Sequence, residues 1–192
     1  MMEAVALAVS SCLTHLATNL DNLVVMLGLA LTTARFQVIA GYMLAQVLVL
    51  AIAFLVAEHV DTELPLPVGC LGLVPIGLGL WGIGQNRSAA DVDGQMPVVK
   101  ANTMALTVLF LSLSFDTFVV FTPLLADSRA VYSAPVLGGA LISALVVAAI
   151  GAAGAGIAPS RIVSLQKLEG FAPYVMIAVG LYVVLNTATD AI

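Results

Sequence analysis

Long apolar runs alternate along this chain with short polar or proline-bearing stretches. The runs cover roughly 4–31, 36–57, 66–84, 102–126, 135–157 and 170–187, and each has about the 20 residues a helix needs to cross a hydrocarbon core. Between them lie Thr32–Arg35, Glu58–Pro65, Gln85–Lys100, Asp127–Tyr132 and Pro159–Glu169. Unsatisfied backbone groups are too costly in lipid for anything but helices or closed barrels. Strand-like alternation is absent, so the pattern predicts an all-α membrane protein of six transmembrane helices.

The polar motifs repeat. Thr18-Asn19-Leu20-Asp21-Asn22-Leu23-Val24-Val25 in the first run corresponds to Leu113-Ser114-Phe115-Asp116-Thr117-Phe118-Val119-Val120 in the fourth. Ile76-Gly77-Leu78-Gly79-Leu80-Trp81 in the third corresponds to Ile177-Ala178-Val179-Gly180-Leu181-Tyr182 in the sixth. The chain therefore divides into 1–94, a three-helix repeat plus linker, and 95–192, a second three-helix repeat, within one membrane domain. An odd number of spans per half predicts two inverted repeats, the plan of many secondary transporters, with a midplane site where the halves meet.

Composition agrees. Hydrophobic residues make up 61% of the 192 and charged residues 9%, against roughly 25% charged in soluble domains. Mean hydropathy is +1.13. Six Lys and Arg against eleven Asp and Glu leave no basic surface for nucleic acid. Arg35, Arg87, Lys100, Arg161 and Lys167 fall on one side of the predicted spans and Arg129 on the other, which sets both termini outside a bacterial-type inner (plasma) membrane. The outer side then carries Glu3, Glu58, Asp61, Glu63, Asp127 and Asp190. The N-terminus has no cationic region and its apolar run exceeds a signal-peptide core, so the first span is expected to stay.

Asp21 and Asp116 are the residues that demand chemistry. A charged side chain at mid-bilayer costs roughly 2.5–3.5 kcal/mol on insertion scales. Two carboxylates balance a divalent cation, and hard cations favour oxygen ligands. Once the cation leaves, the desolvated acids take up protons, so metal against proton is the expected exchange. The alternative is two aspartates bonded across helices as packing glue. Thr18, Asn22 and Asn19 share a polar side of the first helix with Asp21, Ser11, Thr14 and His15; Ser112 shares a face with Asp116, flanked by Thr117. The expected metal-site residues are Asp21, Asp116, Asn22, Thr18, Thr117, Ser112, Asn19 and His15. His15 is either a ligand, a proton relay or an interhelical bond; Gln46 and Tyr42 either complete the site or bond across helices. Pro123 either frees carbonyls for a cavity or bends its helix. Ala140, Ala144, Ala148, Ala152 and Gly156 form a ladder of small residues that suits close, sliding helices or a homodimer.

These motifs resemble the cadmium resistance transporter family of the lysine exporter superfamily. The resemblance lies in Thr18–Val25, in Ser114–Leu124 with Phe121-Thr122-Pro123, in Leu71-Gly72-Leu73-Val74-Pro75-Ile76-Gly77-Leu78-Gly79, and in Ile177–Val183. It implies efflux of a divalent metal with both aspartates in the transport site. Phe115 and Thr117 depart from the family's small residue and Asn, and the oxygen-rich surroundings widen the metals to manganese. The expected function is a non-enzymatic secondary transporter with no tightly bound cofactor, a divalent cation as substrate and protons as coupling ion. The alternatives are an exporter of a small amino acid or organic cation, using one aspartate for the ammonium group, and a thiol-based electron carrier, for which Cys12 and Cys70 lack matched positions.

Overall fold

The computed structural model describes residues 2–63, 68–86, 102–128, 130–154 and 170–189. The Gln85–Gly94 linker, except for its first two residues, and the basic residues Arg87, Lys100, Arg129, Arg161 and Lys167 that set the orientation lie outside them, as does Gly156 of the ladder. The described residues are all-helical: α1 (Met2–Thr18), α2 (Leu20–Leu29), α3 (Arg35–Glu63), a 3₁₀ turn at Val68–Gly72, α4 (Leu73–Asn86), α5 (Thr103–Leu113), α6 (Phe115–Asp127), α7 (Ala130–Ala153) and α8 (Ala172–Thr189).

Two segments are long and apolar enough to cross a membrane unbroken, Arg35–His59 and Val131–Ala153. Two more qualify as bent pairs, α1 with α2 at 52° and α5 with α6 at 61°. Gly69–Gly84 and Ala172–Leu185 are apolar but shorter. The third predicted run starts as a 3₁₀ turn and becomes α-helical only at Leu73, with Pro75 in the first turn, where its missing N–H costs nothing.

The unbroken helices are built for lipid. In α3, Leu44, Val47, Leu48, Ile52 and Leu55 form an exposed stripe at helical spacing, and in α7 Leu141, Ile142, Leu145, Val146 and Ile150 do the same. Their inward faces are smaller and more polar, with Ala45, Gln46 and Ala53 in α3 and Ala140, Ser143 and Ala144 in α7. A surface more apolar than the interior is stable only against hydrocarbon. The chain reads as a membrane protein.

Both bends have one cause. Asn19 and Ser114 sit between the half-helices with φ/ψ of −118°/16° and −88°/19°, near the bridge region. Each folds its side chain back onto the carbonyl four residues earlier: Asn19 Nδ2 donates to the His15 oxygen at 2.9 Å and Ser114 Oγ to the Phe110 oxygen at 2.8 Å. At the first break the side chain replaces the Asn19 N–H, which has turned to Leu16, while at the second the Phe110 oxygen accepts both the Ser114 N–H and its hydroxyl. Pro123, inside α6, is not at the break.

Glycines set how closely the helices cross, and the crossings come in reciprocal pairs. A Cβ on Gly79 would stand 2.6 Å from the Pro173 oxygen, and one on Gly180 would stand 2.5 Å from the Gly72 oxygen. Pro173 lies seven residues before Gly180, as Gly72 lies seven before Gly79. At the α3–α5 crossing Gly41 faces the Thr103 oxygen, and at the α1–α7 crossing Gly139 faces that of Ala8. Thr103 stands thirteen residues before Asp116, as Ala8 stands before Asp21.

Candidate functional site

The broken corners of α1–α2 and α5–α6 cross at the centre of the fold, and their side chains close a buried polar network. Asn19 Nδ2 donates to Thr117 Oγ1 at 3.0 Å, and Asn22 Nδ2 donates to Ser114 Oγ at 3.0 Å. In the aligned motifs Asn19 matches Ser114 and Asn22 matches Thr117, so these are two copies of one contact. The Thr18 and Thr117 hydroxyls lie 3.2 Å apart, and Asn22 Nδ2 also reaches Asn19 Oδ1 at 2.8 Å. Thr18, Asn19, Asn22, Ser114 and Thr117 are all buried.

The hydrogen bonds fix the state of His15. Ser114 gives its proton to Phe110 and so accepts from Gln46 Nε2 at 2.9 Å. Gln46 Oε1 is then the atom facing His15 Nε2, 3.1 Å away, and the ring must carry its hydrogen there. His15 Nδ1, left as acceptor, takes the Ser143 hydroxyl at 3.2 Å. The ring also meets Phe121 edge-on at 5.8 Å. Both nitrogens are engaged, so His15 and Gln46 serve as bonds joining α1, α3, α5 and α7 (the interhelical role weighed above).

Asp21 and Asp116 flank this network, each half-buried, in the first turns of α2 and α6. Asp21 Oδ1 accepts the Asn22 N–H at 2.7 Å and Asp116 Oδ1 the Thr117 N–H at 2.7 Å. The Asn19–Thr117 and Asn22–Ser114 bonds hold the two carboxylates on either side of one crossing, and Tyr42 packs in the buried cluster with Leu23, Met26 and Leu27 of α2. Backbone N–H groups and the positive ends of the half-helices offset part of the cost of placing two acids in an apolar medium. The protein's own backbone thus meets part of the cost of these charges. Two oxygen atoms nearby lack any protein partner: Asn22 Oδ1 and Tyr42 Oη, both buried.

Ser112 stands apart from the other expected site residues. It is exposed and donates to the Leu109 carbonyl at 2.7 Å. Its placement on the face of Asp116 assumed a straight helix, and the 61° bend at Ser114 turns it away. Ser114 takes its place in the network, and the signal was available, since it aligns with Asn19. Ser143 was also missed; it stands on the inward face of α7, one residue before Ala144 of the small-residue ladder. Among the described residues no three His, Cys, Asp or Glu side chains converge on one point. Cys12 and Cys70 are unpaired thiols.

A cavity of about 710 Å³ opens beside α1, with Glu3, Ser10, Ser11 and Thr14 on one wall, Asp127 and Ser128 at the end of α6, and Tyr132 and Val136 from α7. The Tyr132 hydroxyl donates to Glu3 at its mouth, and Ser11 to the Val136 carbonyl deeper in. Thr14 ends the polar lane directly before His15.

No family model, curated protein or solved structure matches this chain. The chemistry of the site rests on its own residues.

Ser114 is the most heavily used of them. Ser114→Ala removes the acceptor shared by Asn22 and Gln46 and strands two buried amide donors, each worth about 1–3 kcal/mol. A fall in the thermal midpoint in detergent is the expected result, larger than that of Ser112→Ala, whose hydroxyl faces outward.

Proposed function

We propose that this chain is a secondary transporter that exports a divalent metal cation across a bacterial-type plasma membrane in exchange for protons. The observation that carries the reading is the matched pair of broken helices, each presenting an aspartate at its break beside a shared polar crossing. Discontinuous helices whose ends meet near mid-membrane are how transporters expose backbone and side-chain oxygens to an ion. Two interacting carboxylates match the charge of a divalent cation and, once it leaves, stabilise each other best by taking up protons.

The reciprocal contacts favour two inverted repeats and six spans. A two-fold axis makes every contact between its halves occur twice with the partners exchanged. The Asn19–Thr117 and Asn22–Ser114 bonds, and the Gly79 and Gly180 crossings, have that form. The two short helices, α4 and α8, pair with each other, and they complete the third and sixth spans in this plan. The acidic cavity, with Glu3 near the start of α1 and Asp127 at the end of α6, then lies on the outer side, and the ion leaves through it. The motifs that resemble the cadmium resistance transporter family support the same reading.

The rival exporter of amino acids fares worse. It needs a half-helix N-terminus for the substrate's carboxylate, and here aspartates of the chain occupy both. The thiol carrier has no pair of cysteines that meet.

The test is metal accumulation in cells expressing the chain, across cadmium, manganese, zinc and cobalt. Lower accumulation of at least one metal is expected. Unchanged accumulation of all four, with raised tolerance to an amino acid, overturns the reading.

A further inference from the structure

Native proteins leave few buried polar atoms unmatched, and each exception calls for an explanation. Among the described residues the side-chain exceptions are Asn22 Oδ1 and Tyr42 Oη. Both residues are fully buried. The Asn22 amide cannot turn to cure its defect, because Nδ2 is held by Asn19 Oδ1 at 2.8 Å and Ser114 Oγ at 3.0 Å. Its oxygen is therefore fixed as an acceptor without a donor. The Tyr42 ring is held edge-on by Phe110 at 5.6 Å. Asn22 follows Asp21 in the chain, and Tyr42 packs in the buried cluster that holds Leu23, Met26 and Leu27 of the same half-helix.

The second half carries no such pair. Thr117, at the place of Asn22, has its hydroxyl bonded by Asn19. Ala140 follows Gly139 as Tyr42 follows Gly41, and it has no oxygen to offer. The Met26 sulfur packs onto Gly151.

We propose that Asp21, Asn22 and Tyr42 form the primary seat of the cation, an all-oxygen set on the first half that takes a hard divalent ion, manganese being the example, ahead of cadmium. The inference rests on the transport reading and narrows its substrate class. Asp116 supplies the second charge from across the crossing, and the seat is lopsided although the fold around it is paired. Carboxylate, amide carbonyl and phenol oxygens are the ligands hard ions prefer, and cadmium gains little from them.

The experiment uses the full chain in lipid nanodiscs. Binding of Mn²⁺ is followed by loss of the free ion's electron paramagnetic resonance signal, with Cd²⁺ as competitor and thermal unfolding in parallel. Tyr42→Phe removes one oxygen and fills the same space. Its expected result is Mn²⁺ affinity about tenfold weaker or more, with metal-free stability equal to or above that of the wild type, because an unmatched buried hydroxyl has gone. Wild-type Mn²⁺ affinity in Tyr42→Phe overturns the proposal. So does Cd²⁺ binding more tightly than Mn²⁺, and so does a loss of affinity that comes with a matching loss of metal-free stability. A wild type that binds none of the divalent ions overturns the transport reading itself, a result distinct from the other three.

Discussion

Asp21→Asn and Asp116→Asn are each expected to abolish the proposed cation efflux while the protein still inserts and folds. The reason lies in what the two atoms of each carboxyl group do. Oδ1 accepts the N–H of the next residue at 2.7 Å in both halves, and an asparagine carbonyl can make the same bond. The start of the half-helix therefore survives, at a cost of about 0.3–1 kcal/mol for the lost interaction with the helix dipole. The charge does not survive. A buried divalent ion deprived of one of its two counter-charges loses about 3–5 kcal/mol, which lowers occupancy at least a hundredfold. Flux into proteoliposomes and membrane content measured on the same preparations separate the two effects. Near-normal flux in either variant counts against a shared two-carboxylate site; loss of insertion instead makes the acids structural.

The second large effect is on packing. Gly139→Ala sets a methyl group against the Ala8 carbonyl, a backbone atom that can yield only if α1 and α7 separate. Overpacking of this kind costs about 1–3 kcal/mol. The adjacent Gly138 faces open space, so Gly138→Ala is neutral or stabilising by about 0.5–1 kcal/mol, the ordinary gain from replacing glycine within a helix. Gly151→Ala falls between them, since the atom it meets is the Met26 sulfur at the end of a flexible side chain. Thermal unfolding in detergent ranks the three. Equal midpoints for Gly138→Ala and Gly139→Ala remove the argument that α1 and α7 touch backbone to backbone.

The helical runs were legible because hydropathy is set by every residue of a span and tolerates local exceptions. Asp21 and Asp116 stood out because a charge in an apolar run is costly, and both fall in the first turn after a helix break. The breaks were not. Neither Asn19 nor Ser114 is a glycine or proline, and either side chain can sit in a straight helix. They bend it only because a second corner supplies Thr117 and Asn22 as partners, and that contact is tertiary. The misplacement of Ser112 follows from the same gap: a uniform 100° per residue carries a face past a bend that does not preserve it. His15 shows a different limit, since its tautomer is set by partners that come from α3 and α7. The pairing of Gly79 with Pro173 and of Gly180 with Gly72 was equally out of reach, although the repeat that makes the two crossings alike was visible as a motif.

The cavity beside α1 has a consequence for how anything could pass through. Three residues past Ala8, Ser11 bonds Val136 on the cavity wall; three residues past Thr103, the matching Leu106 is sealed in an apolar cluster with Val38. Among the described residues, the Ser11 position thus opens on a polar cavity while its counterpart is packed among apolar side chains. Opening a matching cavity there would expose Leu106 and Val38, at roughly 1.5–3 kcal/mol apiece, a cost that, on the transport reading proposed above, capture of one ion between two acids would have to meet.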